Sequence, residues 1–421
     1  MIDTAPNWIP AWSRAEGASR TTKLFQTAFG YPPSGVWSAP GRVNIIGEHT
    51  DYNGGVCLPI ALPHRTYVAL APRDDGIIRL RSAQTDLLWE CPLAAVAPEE
   101  TEGWGAYVAG VAWALAQEGY SVGGFDAAID SCVPFGASLS SSAALETATA
   151  YALSDVFNLG LTATDAGLTV LVDACRRAEN DIAGAPTGGL DQSASLFAGV
   201  GQTLALDFDH PGHFATRIPF DLAAHNLTLL VVDSKAPHQL NDGQYANRRE
   251  SCEQATAILG VPNLRKVSPA RLDGALATLA AADPTGTLTK RTHHVVTEID
   301  RAQQFIEIAR DYFGGVEPHQ PLSPEVRARV GQLMNDSHDS LRDDYEVTVP
   351  ETDLAVQAAR AAGAVGARMT GGGFGGSIIA LIDDNRVADT AAAIAAAFAD
   401  ASFAPPAFLL APPSAPAARD A

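Results

Sequence analysis

Val133-Pro134-Phe135-Gly136-Ala137-Ser138-Leu139-Ser140-Ser141-Ser142-Ala143-Ala144 joins two elements of different kind. Before it, Phe125 to Val133 is a short apolar run that reads as a strand; after it, Ala143 to Phe157 is rich in Ala, Leu and Glu and reads as a helix. Small residues occupy the joint, and three serines sit where the helix must begin. Free backbone N–H groups point outward at a helix N-terminus, and the macrodipole adds roughly half a positive charge there. Small side chains let a phosphate approach that backbone, and hydroxyls can hold phosphate oxygens or a metal ion. A plain serine-rich helix cap is the alternative, and this stretch alone leaves the two open.

The rest of the chain bounds the choice. At 421 residues it is long enough for two domains with cores of their own. Hydrophobic residues make up 47% and charged ones 18%, a globular composition. A net charge of −20 argues against nucleic acid or an anionic membrane as partner, because either wants a basic face. An anionic ligand must then be met by a local positive site. Cys57, Cys91, Cys132, Cys175 and Cys252 are scattered, without a C-x-x-C pair, so neither a disulfide framework nor a zinc site is expected, and a reducing cytoplasm is. Met1 to Pro10 lacks the basic-then-apolar pattern of a signal peptide, and the longest Ala-rich run, Ala391 to Phe398, is too short to span a membrane.

Upstream, Gly41-Arg42-Val43-Asn44-Ile45-Ile46-Gly47-Glu48-His49-Thr50-Asp51-Tyr52-Asn53 mixes a buried-strand pattern with crowded charge. Buried charges are costly unless paired or used. Ionised carboxylates at 48 and 51 accept hydrogen bonds from several hydroxyls, which suits a sugar; a solvated surface turn is the alternative. Downstream, Val170 to Ile182 reads as a helix carrying Glu179, and Gly184 to Ser193 as a glycine-rich turn ending in Asp191, which could equally be a helix N-cap. Gly371, Gly373 and Gly376 spell G-x-G-x-x-G, but a strand-like run from Ser377 to Ile382 follows where a dinucleotide fold needs a helix.

Strands are further expected at Pro59–Ala71, Ile77–Trp89, Thr203–Phe208 and Leu227–Asp233, and helices at Gly103–Gln117, Asp273–Arg310, Met334–Tyr345 and Thr352–Ala362. His210-Pro211-Gly212 reads as a turn and Pro318 to Ser323 as a loop. The Pro/Ala-rich tail after Phe403 is expected to fray. His293 and His294, adjacent on a helix, point in different directions and read as surface residues. Arg248 and Arg249 read as helix-surface ion pairs, and Trp104 and Tyr107 as core.

Gly41 to Asn53 resembles the galactokinase signature nearly letter for letter. Val133 to Ala144 resembles the phosphate loop of the wider superfamily of galactose, homoserine, mevalonate and phosphomevalonate kinases, Pro-x-Gly-x-Gly-Leu-Ser-Ser-Ser-Ala-Ala. Ser138 departs from it where glycine is usual. If that position needs φ > 0, serine there costs about 1 kcal/mol or more. Ala367 to Ser377 looks like the third motif of these kinases, a glycine turn behind the phosphate loop. Tyr245-Ala246-Asn247-Arg248-Arg249 resembles a family segment with Ala246 in place of Asn.

The resemblance implies an α+β, two-domain small-molecule kinase, residues 1–215 and 216–421, with mixed sheets plus helices and the active site in the cleft between domains. It implies Asp191 as catalytic carboxylate with Arg42 beside it. Glu48, His49, Asp51, Gly189 and Tyr245 would border the sugar, with Glu48 and Asp51 taking its hydroxyls. Gly136, Ala137, Ser138, Leu139, Ser140, Ser141, Ser142 and Ala143 would lie along the phosphates, and Ser142 and Glu179 would hold Mg²⁺. The implied reaction moves the γ-phosphoryl group of ATP to the anomeric hydroxyl of galactose, in a cytoplasmic monomer with no nucleic acid or membrane partner. N-acetylgalactosamine or arabinose as substrate, and a non-catalytic sugar sensor, are the alternatives. A Gly-Lys-Ser/Thr loop and the His-Arg-Asp and Asp-Phe-Gly pair are both missing, so neither a Walker-type NTPase nor a protein kinase fits.

Overall fold

The computed structural model describes residues 5–185, 187–210, 215–236, 243–314 and 321–421. A six-stranded sheet runs in the order Ala418–Arg419, Gly35–Asn44, Pro59–Arg73, Gly124–Ser131, Ile77–Ser82, Leu88–Pro92. Its pairings are antiparallel except Ile77–Ser82 on Gly124–Ser131. One face buries Trp37, Val68, Leu70 and Phe125 against the helices Gly105–Gln117, Ser141–Val156 and Asp165–Arg177. The other buries Val36, Tyr67 and Ala69 under the helix Arg14–Phe29, which Ser13 caps and Gly30 ends in the left-handed conformation. Central strands covered on both faces read as apolar runs and do not alternate, as Gly35–Asn44 shows by being buried throughout.

A five-stranded sheet, ordered Asn7–Trp8, Ala407–Leu410, Leu227–Asp233, Ser377–Asp383, Gly366–Thr370, organises the other core together with the helices Thr287–Tyr312, Pro324–Ser340, Pro350–Ala361 and Val387–Asp400. A three-stranded sheet is made of Val56–Cys57, Gln202–Asp207 and Ala215–Pro219. The division expected at residue 215 falls at the start of a strand paired to Gln202–Asp207, and we propose drawing it after Pro219, which keeps that sheet whole.

Three expectations are corrected. The tail does not fray: Phe408 and Leu409 are core residues, Ala418 and Arg419 extend the six-stranded sheet, and buried Arg65 donates to the carbonyls of Ala415 (2.8 Å) and Pro416 (2.7 Å). Proline-rich sequence lacks donors, yet it can still occupy sheet edges and offer carbonyls. The helix expected over 273–310 is two, Leu272–Ala282 and Thr287–Tyr312, parted at Pro284 and by Gly286 in the left-handed region. His294 is buried, not on the surface. The turn at 210–212 falls largely outside the described residues, and so does the first half of the loop at 318–323, whose residues 321–323 have no regular structure. Among the described residues no helix is long and apolar enough to cross a membrane.

Candidate active site

The phosphate-loop stretch forms a strand–loop–helix joint in which Gly136, Ser138 and Ser140 have φ of 71°, 57° and 58°. Ser138 therefore carries the backbone strain its position implied. Its side chain packs where only a glycine can face it: a Cβ on Gly376 would lie 2.2 Å from Ser138 Oγ and 2.6 Å from its Cβ. Ser377 Oγ donates to the carbonyl of Ala137 at 2.6 Å, so the glycine turn does stand behind the loop. Gly376→Ala should push the loop aside and raise the ATP KM about tenfold, roughly 1.4 kcal/mol. Adding Ser138→Gly should recover part of the loss. An unchanged ATP KM in the single variant would show that the turn does not set the loop.

The helix Ser141–Val156 starts without a side-chain cap: its N-cap residue, Ser140, has a left-handed backbone in place of the extended one a cap needs, and its hydroxyl donates to Asp191 Oδ2 at 2.6 Å. Asp191 sits in the first turn of the helix Leu190–Phe197, entered through Gly189 at φ 98°. Arg42 holds it at two points, Nε to Oδ1 at 2.8 Å and Nη2 to Oδ2 at 2.9 Å, and Arg42 Nη1 donates to the Ser138 carbonyl at 2.7 Å. The strand Gly35–Asn44 slips register between Pro40 and Arg42, and Gly41, whose Cβ would meet the Leu139 carbonyl at 2.5 Å, lets it touch the loop. That bulge aims Arg42 into the site. The Asp191 side chain keeps 23% of its surface open.

Glu179 lies on a π-turn, Ala178–Ile182, that ends the helix Asp165–Arg177 and turns it inward. It accepts from Ser142 Oγ at 2.9 Å and from Gln192 Nε2 at 2.7 Å. Burial pushes its carboxyl up to about 7, with Asp191 adding to the rise and Ser142 and Gln192 opposing it.

Within the signature the four charged residues separate into different roles. The Asp51 carboxylate lies against the backbone of Gly188, where a Cβ would be 2.0 Å from its Oδ2, close enough to Asp191 for each to act on the other. Burial pushes Asp51 up to about 6, opposed by the backbone N–H groups of Tyr52 and Asp51 itself. His49 is buried at φ 61°, donates from Nε2 to the Gly372 carbonyl (3.1 Å) and accepts from Tyr52 OH at Nδ1 (2.9 Å). Burial pushes it down to about 3, so it is a neutral scaffold member. Tyr245 closes this side, its ring 5.4 Å from that of His49 and 5.6 Å from that of Tyr52.

Glu48 is held from the second half of the chain. Its oxygens accept from Asn44 Nδ2 (2.8 Å), Gly371 N (3.0 Å) and Thr370 Oγ1 (3.3 Å), and Arg368 forms an ion pair with it at 2.5 Å. These contacts fix the direction of the Glu48 carboxylate. Arg368, Glu298 and Gln192 were unassigned in the sequence, and Arg368 and Gln192 adjoin residues that were picked out. Arg249 pairs with Glu253 as expected, whereas Arg248 donates to the carbonyls of Tyr345 and Glu346. His294 Nε2 meets the Glu48 carbonyl at 3.2 Å, a support for the signature that its sequence position did not suggest.

Residues 23–72 match the family described as galactokinase galactose-binding signature, residues 106–199 the GHMP kinases N terminal domain, and residues 324–400 the GHMP kinases C terminal family. A galactokinase of Streptomyces coelicolor is 44% identical over 403 residues, 96% of this chain and 98% of its own. One of Mycobacterium tuberculosis is 42% identical over 373 residues, 88% and 95% of the two chains. The solved structure of Lactococcus lactis galactokinase complexed with galactose aligns with a TM-score of 0.83 at 30% identity, covering 94% of this chain and 98% of that one. A Methanococcus jannaschii mevalonate kinase, at TM-score 0.59 and 15% identity, shares the fold.

Proposed function

The chain belongs to the galactokinase family, and on that premise we propose how its residues carry out the ATP-dependent phosphorylation of the anomeric hydroxyl of D-galactose. The observation that carries the reading is Asp191, gripped by Arg42 and Ser140 at the mouth of the phosphate loop, with the signature's Asp51 beside it. Phosphoryl transfer has a loose transition state, so positioning and charge neutralisation do most of the work. Asp191 orients the sugar hydroxyl and takes its proton late. Arg42 keeps that carboxylate in one orientation. Backbone N–H groups at the start of Ser141–Val156 cradle the phosphates.

Ser142 Oγ and Glu179, hard oxygen donors 2.9 Å apart, fit Mg²⁺, which takes one or two protein oxygens and fills its shell with water and phosphate. Held there, the ion would supply charge that neutralises the transferring phosphates. Asp51 and Tyr245 line the sugar side, while Glu48 and His49 hold that wall from behind. Five free cysteines, four of them buried, suit a reducing cytoplasm.

The direct test follows ADP release with Mg-ATP and a panel of sugars and identifies the product by ³¹P NMR. Galactose 1-phosphate, with preference over glucose, arabinose and N-acetylgalactosamine, is expected; turnover of another sugar alone would replace the substrate.

Asp51 also makes sugar binding sensitive to pH. Its ionised form is the better acceptor, and its carboxyl titrates near 6. As pH falls through that value the carboxylate takes a proton, and the galactose KM should rise about tenfold, the loss of one or two hydrogen bonds to a charged group. Asp51→Asn should show the high KM at every pH, with kcat changed less. A galactose KM flat between pH 5 and 8 in the wild-type chain would remove Asp51 from the pocket.

A further inference from the structure

Behind Ser142 and Glu179 lies a buried group that the reaction as derived does not use. Glu146 follows Ser142 by four residues on the same helix, so both project from one face. It is fully buried, and its hydrogen bond is with an amide rather than a cation: Gln192 Nε2 donates to Glu146 Oε2 at 3.0 Å. The same nitrogen donates to Glu179 Oε2 at 2.7 Å. One amide group thus spans two carboxyl groups, one facing the reaction and the other facing the core. Glu146 Oε1 and Gln192 Oε1 are both buried without a hydrogen-bond partner. Each is left without a donor.

We propose that Glu146 is a positioning residue that holds the Gln192 amide, which in turn fixes Glu179 opposite Ser142. The proposal rests on Glu179 and Ser142 being the ion-binding pair described above. Three features support it. A buried carboxyl with no cation beside it is costly, and an apolar side chain of similar size would pack there without that cost. Burial and the neighbouring charges of Glu179 and Asp191 push Glu146 well above the usual carboxyl range, which suits a neutral acid. Gln192 adjoins Asp191, and its amide has no other hydrogen-bond partner than these two carboxyls among the described residues. Without Glu146 the amide can turn away, and Glu179 loses the donor that sets the direction of its Oε2. Groups that orient metal ligands in this way typically contribute 10–100-fold to metal affinity.

The test compares Glu146→Leu and Glu146→Gln in the full chain. Binding of ADP is titrated calorimetrically at several Mg²⁺ concentrations, alongside galactose binding and Tm. Glu146→Leu should need about tenfold more Mg²⁺ for the same ADP affinity, with galactose affinity unchanged and Tm equal or higher. Glu146→Gln keeps an acceptor for Gln192 Nε2, so it should stay within about twofold of wild type. If Glu146→Leu does not fold, Gln192→Met carries the same expectation for Mg²⁺. Wild-type Mg²⁺ dependence in Glu146→Leu would overturn the role of Glu146 while leaving Ser142 and Glu179 in place. ADP binding that ignores Mg²⁺ in the unmodified chain would instead overturn the ion-binding pair, and this proposal with it. Loss in Glu146→Gln as large as in Glu146→Leu would show that the charge of Glu146 matters and not its hold on the amide.

Discussion

Replacing Asp191 by Asn should lower kcat by about 10²–10⁴-fold and leave galactose binding nearly intact. Asn has the same shape, so the position opposite the phosphate loop stays filled. What is lost is the acceptor for the hydroxyl proton, and with it the two-point grip: one oxygen still accepts from Arg42, but the amide nitrogen now faces a guanidinium donor or the Ser140 hydroxyl. The side chain is partly open to solvent, so the misfit can relax into water and Tm should move little. Binding contacts with Asp51 and Tyr245 do not pass through Asp191. The informative pair of measurements is kcat from ADP release and galactose affinity by titration. Turnover near the wild-type rate would refute the base assignment; lost galactose binding with normal Tm would make Asp191 a sugar ligand first. Because the transition state is loose and the proton moves late, the effect should shrink with a more acidic acceptor hydroxyl.

The parts of the site built from contiguous residues were legible, and those built from distant ones were not. The loop at 133–144 announces itself through small residues at a strand-to-helix joint, and the structure puts the three positive φ angles there. The signature could be read as a charge-rich strand end, but not what holds each charge. Thr370, Gly371 and Arg368, more than 300 residues away, meet the Glu48 carboxylate. Nothing local distinguishes Glu48 from Asp51. His294 is a similar case: adjacent histidines on a helix suggest exposure, and only the placement of Glu48 and Ser340 on either side of the ring shows that it is enclosed. The tail differs for another reason, since proline and alanine disfavour strands of their own while the neighbouring strands supply the partners.

Those distant residues carry the largest expected effect on stability. Arg368 is 0% exposed and meets Glu48 at 2.5 Å, the Ile45 carbonyl at 3.0 Å and Ser337 Oγ at 3.1 Å. Glu298 is 3.8 Å away and is also paired with Arg301 at 2.8 Å, so it keeps a cation if Arg368 is removed, whereas Glu48 does not. Against burial, Arg301 and Arg368, with His294 and Ser337, hold Glu298 down at about 2; for Glu48 burial wins over Arg368 and its carboxyl is raised. Arg368→Met should therefore cost about 3–5 kcal/mol, the usual result of stranding one member of a buried pair. The sign of its pH dependence follows from Glu48. A carboxyl raised in the fold favours the folded state below its unfolded value and loses that advantage as pH rises through its folded value. Without Arg368 the rise is greater, so the Tm deficit of Arg368→Met should deepen from pH 5 to pH 8. Adding Glu48→Gln removes the stranded charge and should restore much of the Tm, yet not the galactose affinity, because the wall from Gly47 to Asp51 has then lost the cation that pins it to Asn44 and Ile45. Recovery of both would mean that the pair serves stability alone, and a deficit independent of pH would mean that Arg368 does not alter the titration of Glu48.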